Sequence, residues 1–233
     1  MNFSDLSLIN VQNPLVVSNG LVGYWSFNDG SGKTAIDFSG TRNNGSLSGT
    51  SPAWVNGIAG SALSFTNLAH FVSVPTNTTI TPASLSICGW FKASSYSALT
   101  VIMAKQRALP SGANAGSYGF VFRTVPSRMT FGICDAADSE HYATSSLQAT
   151  GVWQHWVGTF DDTTKAQSLY LNGVLSQTVT TNITIGHSTN NPLLIGEYVL
   201  NLFPFSGVID EVRLYNRAIT AAEVQQLYLA RGT

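Results

Sequence analysis

Short runs of β-branched and aromatic residues, separated by clusters of Gly, Asn, Ser and Pro, recur along most of the chain. This is the pattern of an antiparallel sandwich. The clearest predicted strands cover 21–27, 71–74, 84–93, 118–123, 128–134, 152–160, 167–171 and 208–215. In the first of them, strict alternation would place Leu21, Gly23, Trp25 and Phe27 on one face and Val22, Tyr24 and Ser26 on the other. Asn172-Gly173, lying between Leu169-Tyr170-Leu171 and Val174-Leu175, is the strongest hairpin signal, because a type I′ turn needs positive φ at both central residues. One helix stands out. Thr220 and Glu223 have capping-box spacing, and Val224, Leu227 and Tyr228 follow at helical spacing, which predicts a helix over 221–229. Residues 1–20 mix short apolar runs with Asn, Ser and Pro14 and read as a linker or lead-in strand. One folded unit is therefore expected over 21–233, with no fixed-period repeat.

Composition narrows the picture. Of 233 residues, 44% are hydrophobic and 11% aromatic, enough for a large core. Only 10% are charged, against about 25% in an ordinary globular protein, so Ser, Thr, Asn, Gln and Gly must build the surface. That chemistry suits an extracellular or cell-surface protein and a carbohydrate binder. A net charge of −1 offers no broad attraction for nucleic acid. No run approaches the roughly 18 apolar residues of a membrane span. The N-terminus has no basic region followed by an apolar one, so a secreted form is expected to be a mature fragment or a module of a larger multidomain chain. Cys88 and Cys134 belong to no CxxC or Cys/His cluster, and two buried thiols or one disulfide both fit them.

Several segments, read in order, carry a resemblance. They are GLVGYWSFNDGSG at 20–32, IDFSGTRNNGSLSG at 36–49, GIAGSALSF at 57–65, FVSV at 71–74 and LSICGWFKA at 85–93. WQHWVGTFDD at 153–162, LYLNG at 169–173 and FSGVIDEVRLYNRAITAAEVQQLY at 205–228 complete the series. In this order the chain resembles the laminin-G-like, concanavalin A-like jelly-roll family of microbial extracellular proteins from Gly20 to Tyr228. The resemblance implies an all-β, two-sheet antiparallel jelly-roll sandwich with a short C-terminal helix, and terminal strands side by side. The stretch from Tyr96 to Ala149 departs from the family pattern and is where binding loops would vary.

The resemblance also implies a structural calcium ion in many members. Carried over residue by residue, Asp37 and Asp210 match the side-chain ligands, and Asn43 or Asn44 matches the loop position that contributes a carbonyl. Calcium needs about six to eight oxygen ligands, and the Gly/Asn-rich segment 37–45 could curl its carbonyls inward. Spacing alone favours Asp37 as the start of an Asx turn, and Asp210 as a strand-end residue paired with Arg213 or water.

The same fold hosts glycoside hydrolases and polysaccharide lyases, so an enzyme is the alternative reading. A retaining glycosidase needs two carboxylates about 5 Å apart; no E-x-D-x-x-E strand occurs, Asp161-Asp162 read as a turn, and Asp210-Glu211 should face opposite sides of a strand. His141-Tyr142, with Arg107 and Arg123, only faintly echo a lyase, and His155 reads as a hydrogen-bonded strand histidine. A sugar site stacks aromatic faces on sugar rings beside a few polar groups. Trp25, Phe27, Phe65, Trp90, Phe91, Trp153 and Trp156 are assigned to the core, leaving Trp54, Tyr96, Tyr118, Tyr142, Tyr198 and Phe203 for the surface. Tyr142, His141 and Arg107 are the candidate ligand-binding residues. The expected function is a non-catalytic binding or adhesion module for a glycan or an extracellular protein; a structural spacer is the remaining alternative.

Overall fold

The computed structural model describes residues 17–230 apart from 68, 98, 109–113, 125–126, 138, 188–189 and 199–202. It describes their side chains except at 106–108, 114–116, 120, 122–124 and 127. The strands are β1 (Leu21–Trp25), β2 (Thr34–Ala35), β3 (Gly45–Leu47), β4 (Ala53–Asn56), β5 (Ser61–Phe65), β6 (Val72–Val74), β7 (Leu85–Ala93) and β8 (Leu99–Ala108). They continue with β9 (Asn114–Thr124), β10 (Ser127–Cys134), β11 (Glu140–Ser146), β12 (Gln154–Asp161), β13 (Ala166–Leu171), β14 (Val174–Thr180), β15 (Leu193–Ile195) and β16 (Gly207–Tyr215). One helix, α1 (Ala221–Leu229), follows. All the pairings are antiparallel and form two eight-stranded sheets. The first has the order β14-β13-β12-β7-β16-β5-β4 with β1 paired to β16; the second runs β11-β10-β9-β8-β15-β6-β3-β2.

Between the sheets lies one large apolar core that includes Trp25, Phe65, Phe91, Phe131, Trp156 and Phe160. The sheets approach closely where Gly158 faces the Phe131 ring, a spot with no room for a Cβ. A second cluster forms on the far side of the first sheet, where α1 lays Val224 and Leu227 over Tyr24, Cys88, Val157 and Tyr215. The helix has its capping box, with the Thr220 side chain on the Glu223 N–H and the Glu223 carboxylate on the Thr220 N–H. Arg217 grips Glu223 with both terminal guanidinium nitrogens, at 2.5 and 2.9 Å. At the β13–β14 hairpin, Asn172 and Gly173 take φ of 49° and 79°, the geometry expected of Asn-Gly. No helix among the described residues is long and apolar enough to cross a membrane.

Several expectations change. Val17, in the stretch read as a linker or lead-in strand, is buried against this second cluster, and its carbonyl accepts the Tyr215 hydroxyl at 3.1 Å. Residues 1–16 lie outside the described ones. In β1 a register shift between Leu21 and Gly23 breaks the alternation: Val22 joins Trp25 and Phe27 in the main core, while Leu21 and Tyr24 join the second cluster. Trp153 is half-exposed, with the Lys92 ammonium 5.2 Å from its ring, and Tyr118 is buried, donating to the Ile80 carbonyl at 2.9 Å. Cys88 and Cys134 are buried thiols in different sheets and are not joined in a disulfide.

A bulge in β16 shapes the centre of the first sheet. On one edge β16 pairs with β7; on the other it pairs with β5 through Gly207–Ile209 and with β1 through Val212–Tyr215. Its register slips between Asp210 and Arg213, and Glu211 sits at φ 55°, a left-handed conformation costly for a residue with a Cβ. The extra residue removes the alternation that would separate consecutive carboxylates. Asp210 Oδ2 accepts the Ile58 and Ala59 N–H groups at 2.8 and 3.2 Å, fastening the β4–β5 turn. Glu211 instead meets the Tyr24 hydroxyl and, at 2.6 Å, Arg213.

Candidate functional site

The stretch 96–149 builds four consecutive neighbours of the second sheet, β8 to β11. Met129, Phe131 and Ile133 of β10 enter the core, so Arg128, Thr130, Gly132 and Cys134 belong to the opposite, outer face. Across that face the register sets Ala104 opposite Gly119, Gly119 opposite Gly132 and Gly132 opposite Tyr142. Three small residues in a transverse row make a depressed floor. The Tyr142 ring lies against Gly132, where a Cβ would stand 3.1 Å from Cε1. The result is a groove of about 210 Å³, walled by Tyr142 and Tyr198 and lined further by Leu99, Val101 and Val121. The Tyr142 hydroxyl donates to the Glu140 carboxylate.

Of the sequence-predicted ligand residues, Tyr142 lies in this groove. His141 does not: adjacent residues of a strand face opposite sides, and its carbonyl accepts Gln167 Nε2 at 3.1 Å. Arg107 is in β8 opposite Ala115, and its side chain lies outside the described residues. Gly119, Gly132 and Glu140 were not singled out from the sequence. The available signal was glycine inside a strand pattern, which marks a bulge or a close approach.

The four expected calcium ligands are occupied by protein donors. Asp37 accepts four hydrogen bonds, from the N–H groups of Tyr24, Ser39 and Asn43 and from the Thr41 hydroxyl, all at 2.7–2.9 Å. Asn44 Oδ1 accepts the Asp37 N–H, and the Asn43 carbonyl accepts Trp25 Nε1 at 2.8 Å. Asn43 Oδ1 takes the Asn77 amide. Asp210 accepts the Ile58 and Ala59 N–H groups and, at 2.8 Å, that of Glu211. A calcium ligand must turn a lone pair toward the ion, and N–H and O–H groups stand in that place here. Among the described residues no three His, Cys, Asp or Glu side chains cluster for a metal. The set as arranged does not fit calcium; its hydrogen bonds wrap loop 37–44 around Trp25 and fasten the β4–β5 turn.

Titratable groups elsewhere have structural surroundings. His155 is buried between Trp90 and Tyr228, with ring centroids 5.0 and 5.9 Å away; burial, with the Arg213 charge, lowers its pKa to about 3. Asp161 accepts the Thr163 and Thr164 N–H groups and Asp162 pairs with Lys165 at 2.7 Å, which makes 161–165 the expected turn. Burial, reinforced by Glu211, pushes Asp210 up to about 7, yet it is fully buried beneath the β4–β5 turn. Within the groove Glu140 is the one carboxylate among the described lining residues.

Three solved structures of low identity show the same fold. Domain 4 of AbnA, a GH43 extracellular arabinanase from Geobacillus stearothermophilus solved with arabinotriose, is 20% identical with a TM-score of 0.68, over 89% of this chain and 98% of that one. The binding domain of Paraclostridial Mosquitocidal Protein 1 is 16% identical with a TM-score of 0.70, over 91% of this chain and 52% of that one. The Botulinum Neurotoxin Type G receptor binding domain is 13% identical with a TM-score of 0.69, over 91% and 51%. The chain thus spans nearly all of the arabinanase domain and about half of each toxin domain. No curated protein sequence matches. The Laminin_G_3 family, described as the Concanavalin A-like lectin/glucanases superfamily, matches residues 66–225; the match runs through 96–149, so the expectation that this stretch departs from the family is not met. With that match and the two-sheet sandwich, the chain belongs to that family.

Proposed function

We propose that the chain is a non-catalytic carbohydrate-binding module of a secreted or surface protein, and that the β8–β11 groove is its sugar site. The observation that carries this reading is the row Ala104–Gly119–Gly132 ending at the Tyr142 ring. A sugar can lie flat on a floor without side chains while its apolar face meets an aromatic wall and its hydroxyls reach Glu140. The arabinotriose in the arabinanase domain and the binding role of the toxin domains support the choice of class. The low charge content supports an extracellular setting. A single lining carboxylate favours binding over glycoside hydrolysis, which requires a pair.

The test is a glycan array with wild type and Tyr142→Ala, followed by a reducing-sugar assay on every bound glycan. The expected result is binding by the wild type, at least a tenfold loss in the variant with an unchanged melting curve, and no product. Wild-type affinity in Tyr142→Ala removes the groove as the site, and product formation makes the chain an enzyme.

A further inference from the structure

Beneath the Gly132–Tyr142 pair, on the core side of the second sheet, stands an amide that belongs to the first. Gln167 lies opposite Phe160 on β12, and cross-strand partners share a face, so its side chain points with the Phe160 ring into the space between the sheets. It crosses that space and donates through Nε2 to the Phe131 carbonyl at 2.7 Å and to the His141 carbonyl at 3.1 Å. Both partners are carbonyl oxygens, so the amide nitrogen is the atom that must face them.

These two carbonyls belong to the groove's own strands. Phe131 precedes Gly132 on β10, and His141 precedes Tyr142 on β11. Thr144 turns its N–H away from β10, to Gln177 Oε1 at 2.6 Å. By the alternation of an antiparallel ladder, Gly132 and Tyr142 then form a non-hydrogen-bonded pair, bracketed by the carbonyls of Phe131 and His141. Neither member of the pair has a side chain on the core side, since Gly132 has none and the Tyr142 ring lies on the outer face. The Gln167 amide reaches the place so left.

β11 is the last strand of its sheet, with β10 its one ladder partner among the described residues. Gln167 at His141 and Gln177 at Thr144 tie it to the first sheet on both sides of Tyr142. Packing does not account for an amide at 167. Gln167 is wholly buried, and its Oε1 has no hydrogen-bond partner among the described residues, a cost that a methionine of similar length would not carry.

We propose that Gln167 is the positioning residue of the groove: from the opposite sheet it holds β11 against β10 and so keeps the Tyr142 ring seated on Gly132 for the glycan. Its part in binding rests on the groove being the sugar site; the seating of the ring does not.

The test is Gln167→Met, which keeps the length of the side chain and removes both N–H donors, read by NMR at the Gly132 α-protons. A tyrosine ring over Gly132 displaces these signals by its ring current, and Tyr142→Leu supplies their position without the ring. In Gln167→Met they are expected to move at least halfway to that position, and affinity for the glycans that the wild type binds on an array falls about tenfold. Ile209→Val, a core change on β16, is the comparison: it lowers the melting temperature and leaves the Gly132 signals in place. Should Gln167→Met fail to fold, Gln167→Asn, which draws the amide back by one methylene, is read in the same way. Gly132 signals that keep their wild-type position in the folded variant, or a displaced ring with undiminished glycan affinity, overturn the positioning role. A wild type that binds no glycan overturns the sugar site, and the Gly132 signals then still decide whether Gln167 seats the ring.

Discussion

Gly132 and Tyr142 face one another across β10 and β11, and the tyrosine ring occupies the space a side chain at 132 would need. The glycine is therefore part of the groove as much as the ring is. Gly132→Val should lift the ring off the floor and weaken glycan binding at least tenfold. Its melting curve should move far less than that of a core variant, because the new side chain goes to the outer face. An array that reads undiminished binding would show that the ring's placement is immaterial.

Gly57 meets Asp210 in the same manner at the centre of the first sheet, where a Cβ would overlap the carboxylate Oδ2 and crowd the Ser61 carbonyl at 3.0 Å. Gly57→Ala should cost about 1–3 kcal/mol, the range for overpacking a filled site. Denaturant unfolding measures it directly, and groove binding in the folded variant should be unaffected.

What the sequence disclosed and what it hid follow from how local each signal is. The Thr220–Glu223 capping box and the Asn172-Gly173 turn depend on neighbours within a few residues, and both stand as expected. The bulge at Asp210–Glu211 is not local: β16 exchanges β5 for β1 as its neighbour there, and nothing in the tetrapeptide Ile-Asp-Glu-Val announces the exchange. The groove was hidden for a different reason. Its floor is made of Ala104, Gly119 and Gly132, which give no apolar alternation. Tyr142 was recognisable as a loop-side aromatic, but its pairing with His141 failed because both lie in β11 and point apart.

The pH dependence of stability should expose two buried groups with opposite signs. Asp210, raised to about 7 by burial and then by Glu211, contributes stability that is full below the ordinary carboxylate range and is lost as pH rises through 7. His155, lowered to about 3 by burial and then by Arg213, contributes stability present above its ordinary value of about 6.5 and lost as pH falls through 3. Across their shared window, roughly pH 4 to 6.5, the two oppose each other. In Asp210→Asn, whose amide oxygen can still accept from Ile58 and Ala59, stability should rise more steeply with pH than in wild type. In His155→Phe, which keeps a ring beside Trp90 and Tyr228, the slope should shift the other way. Melting temperatures across this window, for the three proteins, decide both.

Calcium should leave the protein unmoved. With Asp37 accepting from four donors and Asp210 from three backbone N–H groups, melting curves in calcium and in chelator at matched ionic strength should coincide. A rise of several degrees in calcium would mean that these carboxylates exchange their N–H partners for the ion.

The position of β16 has a consequence for how the protein comes into being. It lies between β7 and the pair β1 and β5, yet it is the last strand of the sandwich to leave the ribosome. Until it emerges, β1 has no described partner strand, and β7 and β5 lack their common neighbour. Closing that gap joins strands far apart in sequence, so folding should be slow and should wait until β16 has been made. A nascent chain stalled before Gly207 would hold its hairpins but no closed first sheet, which makes that moment the one at which a cell must shield it.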